Sequence, residues 1–291
     1  MFNIVKSRTL LVARLRKEAL YLFADVFPFA RQQVRPFVVV CRQRTGSNML
    51  RYALETHPQV VHYGELFHEA RTEITGAHGR YLYRPQELLT WRRSDARSFL
   101  DEVVYRDSMW PVQAVGFKLF YHHGRDAGPG NPWPALRARP DIKIIHLTRN
   151  NPLASFLSNE RIQQHEPYVE MRGAPSNRVK PRRTCNERVV IDIGKFEAYL
   201  ARYEHDIRRM QQELPDHAVL ELSYEALAAS PGDSLGCVLD FLGVERRELQ
   251  FQTVRQGPGE LANKVVNLED VAAALRGTRW ERSKEELLEA C

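Results

Sequence analysis

Seven consecutive residues, Arg42-Gln43-Arg44-Thr45-Gly46-Ser47-Asn48, bring together two guanidiniums, a run of hydroxyl and amide side chains and one glycine. They follow a short apolar run, Phe37 to Cys41, of the kind a buried parallel strand shows. They precede Met49, Leu50, Ala53 and Leu54, which recur at helical spacing until His57-Pro58. Strand, tight turn and helix in that order aim backbone N–H groups and the positive end of a helix dipole at one spot, a geometry that binds phosphate. Arg42 and Arg44 add charge, Arg44 through a two-pronged contact, and Thr45, Ser47 and Asn48 add donors. The loop lacks the first Gly and the Lys of G-x-x-x-x-G-K-[ST], which disfavours an ATPase or kinase, and it is not G-x-G-x-x-G either. An ordinary strand-to-helix turn whose Ser caps the helix would read the same way, so both interpretations stand at this point.

A second set of polar residues lies at a second strand end. Arg149 closes the apolar run Ile142 to Thr148, and a helix begins at about Pro152, where the missing N–H costs nothing. Ligands dock at such ends in open α/β sheets, and Ser158 falls on the helix that follows. A plain surface arginine is the competing interpretation.

These segments resemble a known family. Arg44-Thr45-Gly46-Ser47 after an apolar strand is similar to the 5′-phosphosulfate loop of sulfotransferases that use 3′-phosphoadenosine-5′-phosphosulfate (PAPS), above all the bacterial carbohydrate and nodulation-factor type. Arg149 and Ser158, in H-L-T-R-N-N-P-L-A-S-F-L-S, resemble the Arg and Ser that hold the 3′-phosphate. Ser155 competes with Ser158, which is preferred on its spacing from Arg149. Glu221 to Gly243, with S-Y-E-A-L and D-F-L-G-V, resembles the late helical region of the family. Arg255-Gln256-Gly257 resembles an R-K-G segment near the nucleotide, implying contacts from Arg255 and Gly257, and the tail through Asn267 and Gly277-Thr278 fits the bacterial branch. The resemblance runs over about residues 37 to 280, its motifs in the right order.

It implies an in-line sulfuryl transfer in which Arg44 and the loop N–H groups stabilise charge on the leaving phosphate oxygen. His-Tyr-Gly-Glu-Leu-Phe resembles the place where bacterial relatives carry a catalytic Glu, which makes Glu65 the expected base, with a helix-start or surface glutamate as the competing interpretation. Many eukaryotic relatives set a His beside a Lys in the strand resembling Ala114 to Phe120; here Lys118 is present and Phe120 stands in the His position. Lys118 is then a sulfuryl or acceptor contact, or a lysine snorkelling out of its strand. His62, His68, His122 and His123 remain alternative bases. No metal enters the scheme.

The elements that must position these residues alternate. Strands are expected at Phe37–Cys41, Ala114–Phe120, Ile142–Thr148 and Ala218–Leu222, and helices from Ser47, from about Pro152 and from about Pro231 to the Gly243 stop. The clearest helix carries Phe196, Tyr199, Leu200, Tyr203, Ile207, Met210 and Leu214 at spacings of three and four. Asn267 is the expected N-cap of a last helix. Strand–helix alternation predicts an α/β fold. With the resemblance it becomes a P-loop-like parallel sheet with helices on both faces, three layers in a single domain over residues 35–291. Specificity for the acceptor, a glycan, lipid-type or other small molecule, is assigned to loops at Arg71–Trp110 and His165–Arg188.

Composition sets the outer bounds. A chain of 291 residues with 43% hydrophobic and 27% charged residues buries a sizeable core. Four scattered cysteines, Cys41, Cys185, Cys237 and Cys291, argue against structural zinc or a disulfide scaffold and for a reduced, cytoplasmic setting. A net charge of +6 suits an anionic ligand, while no nucleic-acid module accompanies it. Residues 1–34 form an N-terminal appendage in which residues 4–29 mix basic and apolar side chains. It packs as a helix on the domain flank or lies on the inner face of a membrane. A phosphoryl transferase with an unusual loop, and a non-enzymatic membrane-peripheral protein, are the rival functions. Oligomeric state is not readable.

Overall fold

The computed structural model describes Val12, Leu15, Arg16, Lys17, Ala19, Val26 and residues 31–68, 85–164, 189–249 and 265–282. The chain divides into two compact units: residues 1–148 with 209–253, and residues 149–208 with 254–291.

The first unit is built on a parallel sheet. Its strands are β2 (Arg35–Cys41), β3 (Val60–His62), β5 (Ala114–Phe120), β6 (Lys143–Thr148) and β7 (Val219–Ser223), in the order β3-β5-β2-β6-β7. The central strand β2 is buried from Phe37 to Cys41 because sheet neighbours and helices cover it on every side. Val39 aligns with Lys118 and Ile145, so Lys118 shares a face with Phe37, Val39 and Cys41. Against that face pack α1 (Ser47–Glu55), α7 (Tyr224–Ala229) and α8 (Pro231–Leu242), through Leu50, Ala53, Leu227, Leu235 and Leu239. On the other face Phe117 meets the rings of Tyr105 and Phe67, and Phe67 in turn meets Phe99 of α3 (Ala96–Phe99). Tyr105 donates its hydroxyl to the Phe37 carbonyl at 2.9 Å. Helices therefore flank the sheet on both sides, as alternation requires. Gly116 lies where a Cβ would sit 2.5 Å from the Phe37 ring, so only glycine lets that ring lie across the sheet.

A two-stranded antiparallel ribbon, β1 (Arg31–Gln32) with β4 (Ser108–Met109), sits beside this sheet in the sequence order. α2 (Pro85–Ser94), α3 and a π-helical turn at Leu100–Val104 occupy most of the described part of Arg71–Trp110. That stretch is not one long loop as expected: its Leu88, Phe99, Leu100 and Val103 are buried, and irregular spacing hid their helical face. α4 (Pro132–Arg137) starts on an Asn131 cap that accepts from the Trp133 N–H. Residues 165–188 lie outside the described residues.

The second unit holds α5 (Pro152–Gln164), most of α6 (Ile193–Glu213) and α9 (Leu268–Ala274). Phe156 packs edge-on against Phe196 and Tyr199, and Tyr203 lies 5.1 Å from the Trp280 ring. The periodic apolar residues of α6 are all buried. Asn267 stands at the N-cap of α9, as expected, and its carbonyl accepts from the Val271 N–H, but its side chain makes no capping bond. Its side chain accepts from the Ile191 N–H and donates to the Ile191 carbonyl, tying two chain segments together instead.

At the N-terminus, Val12, Leu15, Arg16, Lys17, Ala19 and Val26 are helical. Lys17 is buried, its ammonium donating to the carbonyls of Glu55 at 2.8 Å and Val60 at 2.5 Å. Among the described residues no helix is long and apolar enough to cross a membrane.

Candidate active site

Order within the sheet decides where a ligand docks. The chain leaves β2 toward β3 on one side and leaves β6 toward β7 on the other, so the topological switch point lies between the carboxyl ends of β2 and β6. The loop after β2 is Arg42–Gly46.

Two of its residues have left-handed backbone. Arg44 has φ +67°, costly for a side chain with a Cβ, and Gly46 has φ +82°. At Gly46 a Cβ would stand 2.5 Å from Tyr224 Cδ2, so the Tyr224 ring fills the place where any side chain would go. Gly46 is the N-cap of α1, and its carbonyl accepts from the N–H groups of Met49 and Leu50. The left-handed turns wind the loop tightly ahead of a nine-residue helix, and the first N–H groups of that helix have no intrahelical partner to spend themselves on. Thr45 is fully buried and donates its hydroxyl to the Arg42 carbonyl at 2.8 Å. That bond ties the loop back on itself. Ser47 is buried as well, whereas Arg42, Arg44 and Asn48 are half-exposed.

Lys118 joins this loop to a second segment. Its side chain is almost fully buried, with Nζ 2.9 Å from Glu65 Oε1 and donating to Asn48 Oδ1 at 2.8 Å. A buried ammonium needs such partners, since an unpaired one would be expelled or neutralised. The snorkelling alternative is thereby excluded. Nζ also lies 5.0 Å from the centre of the Phe120 ring, so the aromatic that replaces the eukaryotic His contacts the charge through its face. Glu65 follows β3, where Gly64 accepts from the Lys118 N–H, and its side chain is 21% exposed. Three segments distant in sequence thus converge on one ammonium: the first turn of α1, the β3 exit and the middle of β5.

Burial sorts the four alternative histidines. His62 packs on the Phe37 ring, and desolvation, helped by Arg51 and Lys118, holds its pKa well below 6.5. His123 is pushed down to about 3, first by burial and then by His122 and His68. Neither is a strong enough base for work at neutral pH. His122 is exposed and His68 half-buried, within ring contact of His123. The Cys41 thiol, just before the loop, is pushed up to about 11 by burial, despite the opposing Lys118 charge, and is no nucleophile. Among the described residues no group of His, Cys, Asp or Glu is arranged to hold a metal.

Beneath the ends of β5, β6 and β7 runs a network that the sequence did not announce. The Tyr121 hydroxyl lies 2.5 Å from His146 Nε2, and His146 Nδ1 lies 2.7 Å from Glu221 Oε2. The only hint was a His inside an otherwise apolar strand.

In the second unit the Arg149 N–H donates to the Tyr203 hydroxyl at 3.3 Å, and Arg149 itself is half-buried. Ser155 is fully buried, while Ser158 is partly exposed. Arg255 and Gly257 lie outside the described residues.

A model described as the sulfotransferase family matches residues 36–248, most of the chain, including the β2–α1 loop, Glu65, Lys118, Arg149 and Ser158. The chain belongs to the sulfotransferase family. Sulfuryl transfer, the chemistry that the loop resemblance implied, is therefore its reaction, and the match ends before Arg255. This sulfotransferase is 26% identical to Nodulation protein H of Rhizobium meliloti (strain 1021) over 215 residues, 74% of this chain and 80% of that protein. It is also 26% identical to Nodulation protein H of Rhizobium tropici over 240 residues, 79% of this chain and 86% of that one. Among solved structures it is similar to a sulfotransferase from Alicyclobacillus acidocaldarius, at 19% identity and a TM-score of 0.42, covering 88% of this chain and 95% of that chain. A mouse sulfotransferase complexed with PAP aligns at 12% identity and a TM-score of 0.45, covering 94% and 95%.

Proposed function

We propose that this sulfotransferase takes its sulfuryl group from PAPS and passes it to a hydroxyl of a glycan or lipid-type acceptor, with Glu65 as the base. The observation that carries the reading is the meeting of Glu65, Lys118 and Asn48 beside the Arg42–Gly46 turn. The loop N–H groups, Arg42 and Arg44 hold the 5′-phosphosulfate, with Thr45, Gly46 and Ser47 fixing the turn. Arg149 and Ser158 take the 3′-phosphate, on their likeness to the Arg and Ser of the family motif, and Arg255 and Gly257 are further nucleotide contacts on the same ground.

In the reaction the acceptor oxygen attacks sulfur in line with the departing phosphate oxygen. The S–O bond to the nucleotide breaks as the new one forms, and the acceptor proton passes to Glu65. Charge growing on the leaving oxygen meets Arg44 and the N-terminal amides of α1, groups already oriented before the step begins. Lys118 fixes one oxygen of Glu65 and presents positive charge to the equatorial sulfuryl oxygens. No metal is used. The enzyme works in the cytoplasm, at or near the inner face of a membrane.

Incubation with radiolabelled PAPS and a panel of glycan and lipid-type hydroxyl acceptors tests this. Label is expected to move to one acceptor class with the wild-type protein and not with Arg44→Gly. Transfer by the variant at the wild-type rate would remove the loop from the mechanism.

A further inference from the structure

We infer that the N-terminal helix and Trp110 form a docking surface for an anionic lipid bilayer, which deepens the proposed placement of the enzyme at a membrane face.

Val12, Leu15 and Val26 are among the most exposed large apolar residues described, at 46%, 54% and 61%. With the exposed Ala19, Val12 and Leu15 are helical and fall at spacings of three and four, the spacings of one helix face, and Val26 is helical and exposed as well. Lys17 lies two residues from Leu15 and from Ala19, hence on the opposite side, and that is the side turned to the protein. Its ammonium is consumed by the Glu55 and Val60 carbonyls. The usual arrangement of a surface helix is reversed: a lysine is buried and the apolar stripe faces out. Lys17 thus fixes which side of the helix is presented.

Trp110 supplies the independent observation. It is 70% exposed and directly follows β4, whose Met109 pairs with Arg31 of β1. Arg31 comes five residues after Val26, a reach of at most about 18 Å of chain, so ring and helix end belong to one region of the surface. Tryptophan is the side chain most at home at the boundary of headgroups and acyl chains.

Charge selects the occupant. Leaving aside the buried Lys17, residues 4–29 contain Lys6, Arg8, Arg14 and Arg16 against Glu18 and Asp25, and Arg16 is exposed next to Leu15. A second copy of the chain would bring the same positive charge onto this surface. An anionic bilayer brings the opposite charge and an apolar layer together.

The test is co-sedimentation of the full chain with vesicles of phosphatidylcholine alone or mixed with phosphatidylglycerol. Binding is expected to the mixed vesicles only, to weaken with added salt, and to drop roughly tenfold or more in Leu15→Glu/Val26→Glu. Trp110→Phe should remove most of the blue shift in tryptophan emission on vesicle addition, because Trp133 and Trp280 are already buried and Trp91 is half-buried with its indole N–H donating to Ser98. Adenosine 3′,5′-bisphosphate binding, measured on the same samples, should be unchanged in these variants. It shows that they are folded and separates failure of this inference from failure of the nucleotide assignment. Equal sedimentation of wild type and double variant would overturn the proposal. So would a wild-type dimer that the double variant dissolves without any vesicle binding.

Discussion

Lys118 Nζ lies 2.9 Å from Glu65 Oε1 and donates to Asn48 Oδ1 at 2.8 Å, joining the expected base to the first turn of α1, next to the Arg42–Gly46 turn, through one buried ammonium. If Glu65 takes the acceptor proton, Glu65→Gln keeps the shape and the contact to Lys118 but removes the base. Turnover is expected to fall about a hundred- to ten-thousand-fold, the usual worth of a positioned general base. Nucleotide affinity should stay within about twofold, since a base for the acceptor has no part in holding the donor. Full activity would pass the role to His68 or His122, the two neighbouring histidines not excluded by deep burial.

Arg44 separates stability from function. Its left-handed backbone costs about 1–2 kcal/mol that glycine would not incur, while glycine adds roughly 0.5–1 kcal/mol of unfolded-chain entropy. Arg44→Gly is therefore expected to unfold within about 1 kcal/mol of wild type in urea. Its affinity for adenosine 3′,5′-bisphosphate should drop by about 1.5–3 kcal/mol, roughly 10- to 150-fold, with loss of the charged contact. A variant that is both stable and of unchanged affinity would mean that Arg44 touches no phosphate.

Gly46 gives the opposite result. Alanine there meets both φ +82° and a Tyr224 ring carbon 2.5 Å from its Cβ, so Gly46→Ala should lose roughly 1–3 kcal/mol of stability. Gly46→Ala/Tyr224→Ala removes the clash but not the backbone cost, and thermal denaturation should show only partial recovery. Complete recovery would assign the whole effect to the ring.

Buried histidines set the acid limb of stability. His123, at about 3 in the folded protein, and His62, also lowered, are held neutral by burial. Below their unfolded value near 6.5 the unfolded chain binds protons that the folded chain refuses. Their contribution is complete above about pH 6.5 and is lost as the pH falls from there toward 3. Each such group adds up to about 1.4 kcal/mol per pH unit within that window. His123→Gln should flatten the slope of unfolding free energy against pH between 6 and about 4. An unchanged slope would show that His123 is protonated in the folded state.

How far the sequence foretold this site depends on the range of the interaction. The β2–α1 loop was legible because its signals are local: an apolar strand, a glycine and a helical period, all within twenty residues. α6 was legible because seven apolar residues kept strict spacing. β3 was missed because three residues carry no period. α2 and α3 were missed because arginines interrupt their apolar face, Arg92 being buried through hydrogen bonds to the carbonyls of Leu66 and His68. The Lys118 contact to Asn48 spans 70 residues, and no spacing rule within one element reaches across a sheet. Thr45 shows the same limit: its burial and its bond to the Arg42 carbonyl cannot be read from the residue order of the loop.

The most direct test of PAPS dependence is a calorimetric titration in EDTA with adenosine 3′,5′-bisphosphate beside 5′-AMP, followed by ATP with magnesium. Binding of the bisphosphate without metal, weakened at least about tenfold when the 3′-phosphate is absent, is the expected result. Equal affinity for 5′-AMP, or binding of magnesium–ATP alone, would contradict it.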